Sequence, residues 1–181
     1  MRAAFRPGLL YALLALAPAL ALAPARHARA EVQEVQNSAL KAAYIYNIAM
    51  FTSWPAPPAG AAPDRPFAVC ARPSLPFWDS LRQLEGRQVN GRSWTMYDAG
   101  AAGAPRSCDI TVFAAELGQP RPPEGSGTLS VADGASAGKY AGAVALVDED
   151  RHVRFDVDTR EAARLGLKFS SRLLRLARNV W

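Results

Sequence analysis

Apolar positions return along this chain at two spacings. Over residues 31–52, Val32, Val35, Ala39, Ala42, Ala43, Ile45, Ile48 and Ala49 recur every third or fourth position with few breakers. That period predicts a helix, which Trp54-Pro55 ends. Residues 55–66 (PAPPAGAAPDRP) predict a loop. Phe67 to Ala71 is a short apolar run bounded by prolines, which predicts a buried strand. Pro76 heads a helical stretch from Phe77 to Leu84 that Gly86 closes. Asn90-Gly91 marks a turn, Arg92 to Tyr97 alternates as a second strand, and Ala99 to Pro105 is a small-residue loop.

Cys108 to Ala114 carries the clearest strand pattern. A loop at 118–127 leads to a short strand from Thr128 to Val131, ending at Asp133-Gly134. Ala143 to Val147 and His152 to Val157 flank Asp148-Glu149-Asp150 and predict an antiparallel hairpin. In its second arm His152, Arg154, Asp156 and Asp158 share one face, while Val153, Phe155 and Val157 share the other. Asp158-x-x-Glu161 predicts a capped helix start, with Gly166 ending or kinking that helix. Residues 167–180 predict a further amphipathic helix. On a helical wheel Phe169, Leu173, Leu176 and Val180 gather on one side and Arg164, Lys168, Arg172, Arg175 and Arg178 on another. The pattern as a whole predicts an α/β fold: a single-domain sandwich of a mixed β-sheet with helices on both faces, a late antiparallel hairpin and a C-terminal amphipathic helix.

The first thirty residues change the setting. Arg2 and Arg6 precede an uncharged stretch from Leu9 to Ala23, and Ala28-Arg29-Ala30 follows. A positive start, a short apolar run and a small-x-small step make a cleaved secretory signal at 1–30, leaving a domain at 31–181. Pro18 breaks the run, which is short against the roughly 20 residues of a bilayer span, and an uncleaved anchor is the alternative. An exported, periplasmic chain meets no ATP, little NAD and no nucleic acid. The formal charge of +5 falls with Arg2, Arg6, Arg26 and Arg29 removed, leaving 17 cations against 16 anions, a net of +1. The basic balance is thus no nucleic-acid footprint. Cys70 and Cys108 form an even pair in an oxidising compartment, so one disulfide is expected, with two buried free thiols as the competing reading. If their strands were adjacent, parallel and unstaggered, the Cα atoms would exceed the roughly 7 Å limit for bridging.

Candidate chemistry is sparse. Gly134-Ala-Ser-Ala-Gly138-Lys139-Tyr140 has three residues between its glycines and no hydroxyl after the lysine, so it is a loop rather than a phosphate cradle. Asp156, Asp158 and Glu161 suggest acid–base work or calcium, but Arg154 and His152 share that side and can neutralise them, and Asp158 has a plainer task as a cap. Ser170-Ser171 lacks a nucleophile elbow, and His152 is the one histidine left after cleavage. No catalytic residue, metal or cofactor is therefore expected. The cationic stripe fits a solvated face, an acidic partner or anionic lipid headgroups. Tyr44, Tyr46, Phe51 and Trp54 fit either a core or a ligand pocket.

Three segments then carry a resemblance. Leu40 to Pro55 (LKAAYIYNIAMFTSWP), the Cys108-Asp109-Ile110 strand start with Cys70 in an earlier strand, and Val153 to Ala177 (VRFDVD, then A-x-x-x-GLKFSSRLLRLA) resemble the YfiR/HmsC-like family of periplasmic regulators. The resemblance implies a small, often dimeric α/β domain without enzymatic activity. Its better-understood members bind the outer domain of an inner-membrane diguanylate cyclase and hold it inactive, and release raises cyclic di-GMP and favours biofilm. Some members carry a second, late cysteine pair that this chain lacks, and Asp158 stands where the family usually has Asn. The expected partner is thus an inner-membrane signalling protein, met through Phe155, Leu167, Lys168, Arg172 and Arg175. The runner-up is a module that binds a small-molecule ligand and reports it to a sensor kinase or transporter. Dimer against monomer stays open.

Overall fold

The computed structural model describes residues 23–56, 65–116, 121–134, 142–150 and 152–181. Most of the leader, the centre of the 55–66 loop and the glycine-flanked 135–141 stretch lie outside the described residues. The chain divides into two units, residues 1–36 and 37–181. The first contributes the start of helix α1 (Ala23–Met50), where Val32 and Val35 are exposed. The second holds the remainder of the fold.

From Asn37 onward α1 obeys its sequence period. Ala42, Ile45, Ile48 and Ala49 are buried on one side, each isoleucine contributing roughly 1.5–3 kcal/mol of burial. The helix ends where Phe51 N donates to Asn47 O and the Thr52 hydroxyl donates to Ile48 O at 2.6 Å. The chain then turns into strand β1 (Thr52–Ser53). The following elements are β2 (Phe67–Ala71), α2 (Trp78–Arg82), β3 (Gln88–Val89), β4 (Arg92–Asp98), β5 (Ile110–Ala114), β6 (Leu129–Asp133), β7 (Val144–Glu149), β8 (His152–Val157), α3 (Thr159–Arg164), β9 (Lys168–Phe169), α4 (Ser171–Leu174) and β10 (Asn179–Val180).

Among the described residues eight strands form one mixed sheet in the order β10-β8-β7-β6-β5-β2-β4-β3, and β1 pairs with β9 in a small antiparallel ladder. β4, β2, β5, β6 and β7 run parallel to one another, β3 pairs antiparallel with β4, and β7 and β8 form the expected hairpin. The register decides what is buried. Phe67 lies opposite Trp94, Val69 beside Met96 and Ile110, Ile110 beside Leu129, Val131 beside Val144, and Leu146 beside Phe155. Alternation places all of these on one face. There they join the buried residues of all four helices, among them Ile45, Leu81, Ala162 and Leu173, in a single core. Among the described residues the buried side chains of the helices therefore gather on one face of the sheet, where both faces were expected to carry helices. The opposite face carries smaller residues, with Phe113, Ala115 and Ala132 forming a separate cluster.

The disulfide lies on that opposite face. Cys70 points away from the core because its neighbours Val69 and Ala71 point into it. β5 lies on the far side of β2 from β4, so the 99–109 connection must pass β2. Cys108 on that connection is bonded to Cys70, with Cα atoms 5.9 Å apart. The two strands are adjacent and parallel, yet the bridge fits. Cys108 lies ahead of the paired part of β5, where Val69 faces Ile110 and Cys70 faces Thr111.

The amphipathic helix expected over 167–180 is replaced by β9, a one-turn helix and β10. Gly166 takes φ +81°, and its N–H and that of Leu167 donate to Ala163 O and Ala162 O. That is a Schellman ending, which stops α3 cleanly. Beyond it, Thr52 faces Phe169 and Ser53 faces Lys168, so strand partners take the backbone groups a helix would have used.

A cationic and apolar C-terminal face

The Ser170 hydroxyl accepts from Leu173 N at 3.2 Å and caps α4, while Ser170 N donates to Phe51 O at 2.9 Å. Ser170 thus starts a helix rather than lying inside one. Leu173 is buried below, and Arg172 and Arg175 stand on the outer side. The Arg172 guanidinium lies over the Phe51 ring at 5.9 Å. Lys168 is exposed on β9, and no ion pair is recorded for Lys168, Arg172 or Arg175 among the described residues.

The five-residue basic stripe of the wheel is thereby split. Arg164 Nη2 sits 2.6 Å from Glu161 Oε1, and Glu161 also meets Arg121. Arg178 binds Asp156 and Glu149. Three cations remain unneutralised, in a segment with no acidic residue from Ala162 to Trp181. Beside them in sequence Leu176 is 65 %, Val180 46 % and Trp181 55 % exposed. The wheel placed Leu176 and Val180 on the core side, and the break into short elements turns them to solvent.

Two of the five residues expected to meet a partner do not reach the surface. Phe155 is 3 % and Leu167 1 % exposed, and both belong to the core. Phe155 packs on Tyr44 at 5.4 Å between ring centroids. They are corrected to core residues: Phe155 because its strand parity faces the helices, Leu167 because the Schellman ending drives it inward. The carboxylates are also partnered differently from expectation. Asp156 pairs with Arg178 rather than Arg154 or His152, and Asp158 Oδ1 accepts from Glu161 N at 2.9 Å as a helix cap. The aromatic group near the end of α1 packs on the core: Tyr46 meets Trp94 at 5.9 Å and Trp54 meets Phe67 at 5.1 Å.

The sequence reading did not single out the charge cluster at the carboxyl ends of β6 and β7. Lys41 Nζ lies 2.8 Å from Asp133 Oδ1 and 2.7 Å from Asp148 Oδ2, with the Phe77 ring 5.7 Å away. Burial pulls the Lys41 pKa down, but hydrogen bonds to Asp133 and Asp148 more than offset that and hold it above 10.5. A lone lysine among helical alanines gives no sign of partners more than ninety positions away.

A mixed sheet with helices on one face, a bridged crossover and an uncompensated cationic rim defines a small α/β domain. A family model described as YfiR/HmsC-like matches residues 38–178. The chain belongs to that family. A search of curated proteins gives no match. No helix among the described residues is long and apolar enough to cross a membrane.

Proposed function

We propose that this protein is a periplasmic regulator. It binds the outer region of an inner-membrane diguanylate cyclase, holds the enzyme inactive, and so lowers cyclic di-GMP and biofilm formation. Membership of the YfiR/HmsC-like family supports the reading. The observation that carries it is the C-terminal face: Lys168, Arg172 and Arg175 without counter-ions among the described residues, followed by exposed Leu176, Val180 and Trp181. Exposed cations and exposed apolar side chains in one segment suit a partner surface that is both acidic and apolar. Inhibition then follows from unequal affinity for the enzyme's two states, since a binder shifts an equilibrium only by that difference. Packing of Tyr44 and Trp54 against core rings favours this reading over capture of a small solute there.

The test is capture from detergent-solubilised inner membrane with the tagged mature chain. A co-purifying membrane protein with a diguanylate cyclase domain is the expected result. Recovery of a sensor kinase or transporter would overturn the enzyme assignment. Changing Lys168, Arg172 and Arg175 together to glutamate is expected to weaken capture by at least about tenfold, mainly through slower association. Unchanged binding by that folded variant would show that the partner meets another face.

A further inference from the structure

The last four residues close the sheet by an unequal set of contacts. β10 runs parallel to β8, with Asn179 opposite Asp156 and Val180 opposite Val157. Arg178 N and Trp181 N donate to Phe155 O and Val157 O at 2.8 and 3.1 Å, and Thr159 N donates to Trp181 O at 2.7 Å. Arg178 holds Asp156 through both oxygens, Nε to Oδ1 at 2.9 Å and Nη2 to Oδ2 at 2.6 Å. Its Nη1 reaches Glu149 at 2.8 Å, and Asn179 Nδ2 adds a bond to Asp156 Oδ1 at 3.1 Å.

The side chains contribute little else. From Arg175 to Trp181 no residue is buried, and Ala177 is the one that is half-buried. The tail is therefore held by backbone bonds, the Arg178 guanidinium, the Asn179 amide and the Thr159 hydroxyl, which donates to Trp181 O at 2.8 Å, without the apolar burial that fixes the inner strands. What it covers is different in kind. Asp156 is 5 % exposed, and the edge of β8 offers the carbonyls of Phe155 and Val157 as acceptors. Bared, that edge would present unpaired backbone groups beside the carboxylates of Asp156 and Glu149.

We propose that the β8 edge is a strand-addition socket for an extended basic segment of a protein partner, occupied in this conformation by the chain's own tail. Charge complementarity defines the occupant. It must bring backbone donors to Phe155 O and Val157 O and a guanidinium to Asp156 and Glu149, as Arg178 does. The socket selects a basic strand, whereas the cationic face selects an acidic surface. It does not depend on which enzyme is bound.

The probe is a fluorescein-labelled hexapeptide copying residues 176–181, Leu-Ala-Arg-Asn-Val-Trp, titrated into the full chain and followed by anisotropy. In Arg178→Ala the amides of Thr159 and Trp181 are expected to exchange hydrogen at least about tenfold faster than in the parent chain. The peptide is expected to bind that variant at least about tenfold more tightly than the parent, and to lose at least about tenfold when its own arginine is alanine. If Arg178→Ala does not fold, a chain ending at Ala177 bares the whole β8 edge with Asp156, and the peptide's arginine is then free to take the place of Arg178. Three results overturn the proposal: unchanged exchange, no binding to the opened chain, or binding indifferent to the peptide's arginine. None of these readouts involves a membrane enzyme, so failure here leaves the regulatory reading untouched.

Discussion

Lys41 shows how much one side chain can hold. It reaches from α1 to Asp133 at the end of β6 and to Asp148 on β7, tying the helix to two strands. Its Asp133 partner is only 13 % exposed, so removing the cation strands a nearly buried carboxylate. Lys41→Met is expected to cost about 2–4 kcal/mol in denaturant unfolding, against the smaller loss typical of a surface pair. The pH dependence follows from the raised pKa. An unfolded lysine releases its proton near 10.5, so the folded pair contributes fully below that and is lost as pH climbs through the higher folded value. The gap in unfolding free energy between parent and Lys41→Met should therefore hold steady from neutrality to about pH 10 and narrow above it. A gap that instead closed on mild acidification would point to the carboxylates as the controlling groups.

At the scale of elements, ends and turns decide more than cores. Gly142 leads into β7 at φ +76°, and a Cβ there would meet Ser130 O at 2.6 Å. Ala143 N donates to Ser130 O at 3.0 Å, so that carbonyl cannot retreat without loosening the β6–β7 junction. Gly142→Ala is thus expected to cost more than about 2 kcal/mol, read as a lower denaturant midpoint at unchanged slope. Element ends also explain where reading the chain failed. The strands and the β7–β8 hairpin were legible because alternation and apolar runs report burial directly. Residues 167–180 misled because Phe169, Leu173, Leu176 and Val180 do fall on one side of a helical wheel. The wheel presupposes one continuous helix, and the Schellman turn at Gly166 with the Ser170 cap breaks the segment into separate pieces. Gly166 and Ser170-Ser171 are the local signals of that break. Pairing of β9 with β1 and β10 with β8 joins residues more than twenty to over a hundred positions apart, and no local pattern reports such a contact.

For the whole molecule, one covalent link spans the sheet. The Cys70–Cys108 bridge fastens a connection without regular structure to β2, on the face opposite the main core. Closing a loop of 38 residues should stabilise the fold by about 4 kcal/mol, so reduction is expected to lower stability by that order in calorimetry or denaturant titration. Loss of far less would mean that the connection is held by other contacts. What the sequence determined by itself was local: an even cysteine pair, an α/β order of elements, a capped α3 and the family's opening and closing segments. Local spacing suffices there, because burial period, caps and targeting signals act over a few residues. Only the tertiary structure decided which charges survive as a surface. Arg164 and Arg178 look no different in sequence from Arg172 and Arg175, yet the first two are neutralised by Glu161 and by Asp156 with Glu149. Phe155 and Leu167 likewise pass from candidate contacts to core once strand parity and the turn at Gly166 set their direction. Pairing and orientation are set by which elements meet in space, and the free energy of that meeting belongs to the whole sheet.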